Sequence, residues 1–297
     1  MKILLIGAGG QLGRHLAPRL AGQGELVTST RSSGDCPCEL NGRHAVADLL
    51  AQTRPELIVN AAAWTGVDAA EDEPEAAAEL NARLPEQLAT WSRAEGARLV
   101  HFSTDYVFDG TPGRPWTERD TPAPVSVYGK TKLAGEEALR RSQADALILR
   151  TAWLYSRYPG NFLSAILGRA KAGDALQVVS DQTGSPTWAG SLARMTAEAL
   201  PAWSGGTGPV TLHAVDQGSM SWHEFAGLAV TMAAERGLIA EPVSVWAITS
   251  DQWPQKARRP GWSVLDVSRL EQHSGEAAWS TRRALAACLD DLKECSC

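Results

Sequence analysis

The chain runs from Lys2-Ile3-Leu4-Leu5-Ile6 straight into Gly7-Ala8-Gly9-Gly10-Gln11-Leu12-Gly13. A short apolar run bounded by glycine predicts a buried strand, and the spacing over Gln11–Ala21 predicts a helix. This context constrains the fold more than any other feature of the sequence. A strand, a tight glycine turn and a helix form the first half of a βαβ unit, with the helix N-terminus aimed where an anion can sit. In such a turn Gly7 permits the tight bend, Gly10 lets backbone approach a pyrophosphate, and Gly13 allows the helix to pack closely on the strand. The loop therefore predicts dinucleotide binding, the alternative being a glycine-rich turn without a ligand.

The alternation continues. Strands are predicted at Glu25–Thr30, Leu57–Asn60, Leu99–Ser103 and Ala146–Arg150, with helices at His44–Gln52, Pro74–Ala94 (interrupted near Pro85) and Val127–Arg141. The acidic trio Glu71-Asp72-Glu73 before Pro74 reads as a solvated helix start. The expected fold is α/β, a Rossmann-type doubly wound parallel sheet over residues 1–150 that binds NADP(H). From Thr151 the rhythm gives way to loops rich in Gly, Pro and Ser, among them Ser204–Pro209, so residues 151–297 are expected to form a smaller, mainly substrate-binding lobe. Val210–Val215 is apolar enough to be a strand returning to the main sheet. A chain of 297 residues, 44% hydrophobic, can bury such a core.

Several function classes are excluded. The net charge of −6 and the lack of a Lys/Arg run argue against nucleic acid or an anionic membrane as partner. No apolar stretch approaches the roughly 18 residues of a membrane span, and the N-terminal run is too short for a signal peptide. The five cysteines, Cys36, Cys38, Cys288, Cys295 and Cys297, are odd in number and lack metal-ligand spacing. Reduced thiols, no metal site and a cytoplasmic location are expected.

The second strand ends Thr28-Ser29-Thr30-Arg31-Ser32-Ser33, without the acidic residue that usually binds a free ribose diol. An arginine among hydroxyls suits a 2′-phosphate, so NADPH is favoured and NADH stays open. In Tyr128-Gly129-Lys130-Thr131-Lys132 the tyrosine and the second lysine share one helix face. A ketone reductase needs a proton donor, and a phenol ordinarily titrates near 10. An ammonium about 4 Å away, at an effective dielectric of about 20, is worth roughly 4 kcal/mol, or about three pKa units, which predicts a phenol acidified towards neutrality. Thr104, at the C-terminal end of a strand, is placed to bond the substrate oxygen. Asp105 is either a substrate contact or a turn cap, and Trp153 either stacks on the ligand or packs in the core. His101 reads as a core histidine, and Trp222-His223-Glu224 as a helix start.

Taken together, Gly7–Gly13, Asn60–Thr65, Ser103–Gly110, Tyr128–Glu136, Leu149–Trp153, Asp181–Thr187 and Arg259-Pro260 resemble the dTDP-4-dehydrorhamnose reductases, a family of extended short-chain dehydrogenases, over nearly the whole chain. The resemblance implies NADPH-dependent reduction of dTDP-4-dehydro-L-rhamnose to dTDP-L-rhamnose, the last step towards a sugar donor for bacterial surface polysaccharides. It makes Tyr128 the proton donor, Lys132 its partner and a nicotinamide-ribose contact, and Thr104 the group that tunes proton transfer. It places the dTDP-linked 4-keto-6-deoxy sugar on Thr104, Asp105 and Trp153. It places the cofactor on Gly10, Gln11, Leu12, Thr30 or Arg31, Glu39, Leu40, Ala62, Ala63, Trp64 and Thr65. Some family members hold Mg2+ at a dimer interface through a carboxylate on the first helix. His15 stands there in this chain, which makes magnesium doubtful and leaves monomer and homodimer open. Other readings remain: another nucleotide-sugar 4-ketoreductase, an epimerase or dehydratase on the same scaffold, against which the missing Glu after Asp105 argues, and a noncatalytic NADP-binding regulatory subunit.

Overall fold

Ile3 and Leu5 point to one side of β1 (Lys2–Ile6) and Leu4 and Ile6 to the other, and all four are fully buried. A strand apolar on both sides must lie inside a sheet covered on both faces. In the computed structural model, which describes every residue except 41, 112, 204, 207 and 295–297, β1 is an interior strand of a six-stranded sheet. Its other strands are β2 (Glu25–Ser29), β3 (Leu57–Asn60), β4 (Arg98–Thr104), β5 (Ala146–Thr151) and β10 (Val210–His213), and the order is β10-β5-β4-β3-β1-β2, parallel throughout. The order reverses between β1 and β3, and ligands of open α/β sheets bind outside the carboxyl ends at such a switch point. The strand beginning at Val210 does join the main sheet, beside β5.

One face is covered by α1 (Gln11–Ala21) and α8 (Ala189–Ala202) through Leu12, Leu16, Leu20, Leu192, Met195 and Leu200. The other is covered by α2 (Arg43–Thr53), α5 (Leu84–Glu95) and α6 (Val127–Ser142) through Leu49, Leu50, Leu84, Leu88 and Leu139. A separate core joins α7 (Phe162–Lys171), α9 (Trp222–Glu235) and α10 (Thr281–Glu294), around Tyr155, Leu167, Phe225 and Leu285. Short strands complete this half: β6 (Leu154–Tyr155) pairs β9 (Thr187–Trp188), β7 (Leu176–Val179) pairs β12 (Val245–Ile248), and β8 (Thr183–Gly184) pairs β11 (Met220–Ser221). Ser221 and Glu224 form a reciprocal capping box, so Trp222-His223-Glu224 is a helix start.

One local expectation is corrected in part. Pro74 does open a helix, α4 (Pro74–Ala78), with the exposed Glu73 just before it, but Glu71 and Asp72 belong to the preceding α3 (Val67–Asp72). Glu71 instead accepts from the Val127 amide at 2.9 Å, which ties it to the first turn of α6, and Asp72 pairs with Lys256. The interruption expected near Pro85 is found, although Pro85 itself sits in the first turn of α5, where a missing N–H costs little. The irregularity lies just before it, in a π turn at Glu79–Arg83. Cys36, Cys38 and Cys288 are free, while Cys295, Cys297 and part of the Ser204–Pro209 loop lie outside the described residues.

Candidate active site

The carboxyl ends of β1 and β3 approach so closely that a Cβ on Gly7 would stand 2.7 Å from the Ala62 nitrogen, and Gly7 has a φ of +82°. Both constraints demand glycine. A Cβ on Gly13 would lie 2.2 Å from the Gly7 carbonyl oxygen, so α1 packs against the turn as the sequence predicts. Gly9 and Gly10 line the space between, and two cavities open on either side of them.

The first cavity, of 730 Å³, is lined by Gly7, Gly10, Thr30, Arg31, Glu39, Leu40, Ala62, Ala63 and Trp64. The turn after β2 is organised by Thr30, whose hydroxyl bonds the Ser33 carbonyl at 2.6 Å, and this leaves Arg31 exposed at the rim. The loop after β3 is pinned by Asn81 of the π turn, a buried residue that sequence reasoning missed. Its side chain accepts from the Trp64 amide at 3.0 Å and donates to the Trp64 carbonyl at 3.1 Å and the Thr131 hydroxyl at 3.1 Å. Irregular turns inside helices often mark functional positions, and this one couples the loop to α6.

The second cavity, of 590 Å³, brings together Gly10, Gln11, Leu12, Ala63, Thr65, Thr104, Asp105, Tyr128, Lys132 and Trp153. Ser126 caps α6 by accepting from the Gly129 amide at 3.1 Å. A Cβ on Gly129 would lie 2.2 Å from the Tyr106 carbonyl oxygen, so only glycine lets α6 press against the turn after β4 and set Tyr128 beside Thr104. The Thr104 hydroxyl accepts from the Tyr106 amide at 3.2 Å and donates to Asp105 Oδ1 at 2.9 Å. Thr104 is thus the turn cap, while Asp105 is a buried carboxyl facing the cavity. Trp153 has a φ of +45° and stacks on Trp222, with ring centroids 3.5 Å apart, so one face of its indole is already covered. Of the predicted residues only Gly13 faces neither cavity. Gly9, Arg14, Phe102, Ser103, Thr151 and Tyr158 also line the second cavity and were missed, since each carries its chemistry only through where the chain folds.

The expected acidification of Tyr128 is not found. Burial pushes its phenol up to about 12, against a downward pull from the Thr104 hydroxyl. Lys132 is itself buried, which lowers its ammonium to about 8 against an upward pull from Glu136, and its Nζ donates to the Phe102 carbonyl at 2.5 Å. Attraction between an ammonium and a phenolate at about 4 Å is only part of the balance, because removing both groups from water opposes ionisation of each. Beneath Lys132, Glu136 accepts from Arg150 Nε at 2.8 Å and Nη2 at 2.7 Å and from Arg140 at 2.7 Å. His101 is fully buried and bonds Asn60 at 3.2 Å, the core role predicted for it.

The glycine cradle, the open rim at Arg31 and the backbone of Ala62–Thr65 fit a dinucleotide spanning both cavities. The residues at the first helix do not fit magnesium. His15 lies edge-on to Tyr158 and Trp188, burial lowers its pKa, and among the described residues no three His, Cys, Asp or Glu side chains are placed to share an ion.

The profile of the RmlD substrate binding domain family matches residues 1–294. The chain is 40% identical over 279 residues to the dTDP-4-dehydrorhamnose reductase of Salmonella typhimurium, covering 92% of each chain. Its structure is similar to that of a dTDP-4-dehydrorhamnose reductase from Clostridium acetobutylicum, with a TM-score of 0.89, 35% identity and coverage of 99% of this chain and 100% of that one. It is equally similar to a dTDP-4-dehydrorhamnose reductase from Bacillus anthracis in complex with NADP, with a TM-score of 0.89, 30% identity and coverage of 98% and 99%.

Proposed function

Because the chain belongs to the RmlD substrate binding domain family, with dTDP-4-dehydrorhamnose reductases among its relatives, we propose that it catalyses the NADPH-dependent reduction of dTDP-4-dehydro-L-rhamnose to dTDP-L-rhamnose. The observation that carries this reading is the convergence of Thr104, Tyr128 and Lys132 in the cavity that continues from the glycine turn. The bound dinucleotide supplies the hydride. The residues of this chain handle the proton and the orientation.

Tyr128 donates its phenolic proton to the ketone oxygen as that oxygen gains charge. A phenol held at about 12 is fully loaded at neutral pH, and it is still a far stronger acid than the alcohol formed when the alkoxide takes its proton. Lys132 does not need to strip the phenol beforehand. Its buried ammonium stabilises the phenolate left behind, so activity falls as pH rises through about 8, where that charge is lost. Thr104 orients the oxygen, and Asp105 and Trp153 contact the sugar nucleotide. On this reading residues 1–150 carry the cofactor and residues 151–297 most of the substrate, and the protein acts in the cytoplasm. No helix among the described residues is long and apolar enough to cross a membrane.

The test is stoichiometric oxidation of NADPH with dTDP-4-dehydro-L-rhamnose. Clear NADPH binding without turnover would favour the regulatory-subunit reading instead. Arg31 makes a separate prediction. If it holds the 2′-phosphate through charge-assisted hydrogen bonds worth about 1.5–3 kcal/mol, Arg31→Ala lowers the NADPH/NADH preference in kcat/KM about tenfold to a hundredfold. Steady-state kinetics with both cofactors check this, and an unchanged ratio removes Arg31 from the site.

A further inference from the structure

Asp105 is 2% exposed and faces the active cavity. Its Oδ1 accepts the Thr104 hydroxyl proton, and its Oδ2 is buried with no hydrogen-bond partner. A buried carboxylate oxygen without a donor is costly, whereas a protonated carboxyl needs fewer donors. Burial favours the acid form and outweighs hydrogen bonds from the Ser263 and Thr104 hydroxyls and from the Asp105 and Tyr106 backbone amides, which favour the ionised one. Tyr106 adjoins it in the turn, Tyr128 faces it from α6, the Ser263 hydroxyl approaches from the C-terminal lobe, and Arg259 of that lobe acts on the Tyr106 phenol. Lys132 is held on the Phe102 carbonyl.

We propose that Asp105, besides its contact with the sugar nucleotide, positions Thr104: its carboxyl sets the direction of the Thr104 O–H bond, and with it whether one or two donors point at the ketone oxygen. When Asp105 is ionised it can only accept, so across the 2.9 Å contact Thr104 must be the donor. The threonine oxygen, which already accepts the Tyr106 amide, is then left only as an acceptor for the Tyr128 phenol, and the proton that should reach the ketone is drawn aside. When Asp105 is protonated, its own O–H can donate to Thr104. The Thr104 hydrogen then turns into the cavity, and the Tyr128 proton is free for the ketone. Reduction thus runs from the acid form of Asp105, which burial keeps populated up to about 7.

The inference rests on the reductase reading, so the test has one arm that needs turnover and one that does not. In single turnover, followed by loss of reduced nicotinamide absorbance, titration of Asp105 near 7 and Lys132 near 8 together predicts that the wild-type rate falls about twentyfold from about pH 6 to about pH 8. With Asp105→Asn, permanently neutral, only the lysine titration remains and the fall is about twofold. Thr104→Val keeps the carboxyl but cuts its link to the ketone, so its lower rate falls about twofold as well. That variant carries the test if the asparagine variant does not fold. In the ligand-free protein, difference infrared spectra should show a protonated-carboxyl band that disappears near neutral pH and is missing from Asp105→Asn. If either variant keeps the wild-type pH profile, or if no such band titrates near neutral pH, the proposal is overturned. A titrating band in a protein that does not turn over would count against the reductase reading alone.

Discussion

Replacing Tyr128 with phenylalanine is expected to lower kcat by about a hundredfold or more while leaving NADPH affinity within about twofold, as loss of a general acid does when the binding surface survives. The ring is half-buried, lies edge-on to Tyr106 with centroids 5.8 Å apart, and is carried by a helix whose first turn is fixed by the Ser126 cap. Phenylalanine keeps that packing and removes only the O–H. What remains is Thr104, whose hydroxyl already bonds Asp105 and the Tyr106 amide and is too weak an acid to take over. Initial rates together with a fluorescence titration of NADPH measure the two effects separately. Turnover that survives the substitution would mean that the proton comes from another group.

Glu136→Ala is expected to destabilise the fold by about 3–5 kcal/mol, the usual cost of leaving one partner of a buried ion pair uncompensated. Arg150 is 1% exposed, makes a bidentate bond to Glu136, and packs its guanidinium 5.1 Å from the centre of the Phe108 ring. Burial pushes the Glu136 carboxyl up, but the Arg150 guanidinium, helped by Arg140, outweighs it and holds the group below its usual range. The folded pKa is therefore the lower one. The stabilisation is complete above the unfolded pKa of Glu136 and fades as the pH falls through the folded value. Urea unfolding at neutral pH measures the loss, and an apolar double replacement, Glu136→Leu with Arg150→Met, should recover most of it. If the single variant lost less than about 1 kcal/mol, the pair would behave like one in water. Because Glu136 also raises the Lys132 pKa, any single variant that folds should lose activity at a lower pH than the wild type.

Periodicity alone determined much of this protein. Two-sided burial of Ile3, Leu4, Leu5 and Ile6, the glycine turn and the alternation of short apolar runs with amphipathic ones were enough for the sheet and its cofactor edge, because strand and helix periods are local properties of the chain. Tyr128 and Lys132 were legible for the same reason, since four residues on a helix always bring two side chains to one face. Their charges were not. Tertiary burial, not helical spacing, sets the phenol at about 12 and the ammonium at about 8. The fold alone brings Asn81 to the Trp64 loop, Glu71 to the start of α6 and Trp222 onto Trp153. These contacts join residues 17, 56 and 69 positions apart. No local period reports such distances, and the desolvation that shifts a proton equilibrium exists only once the chain has closed around the group.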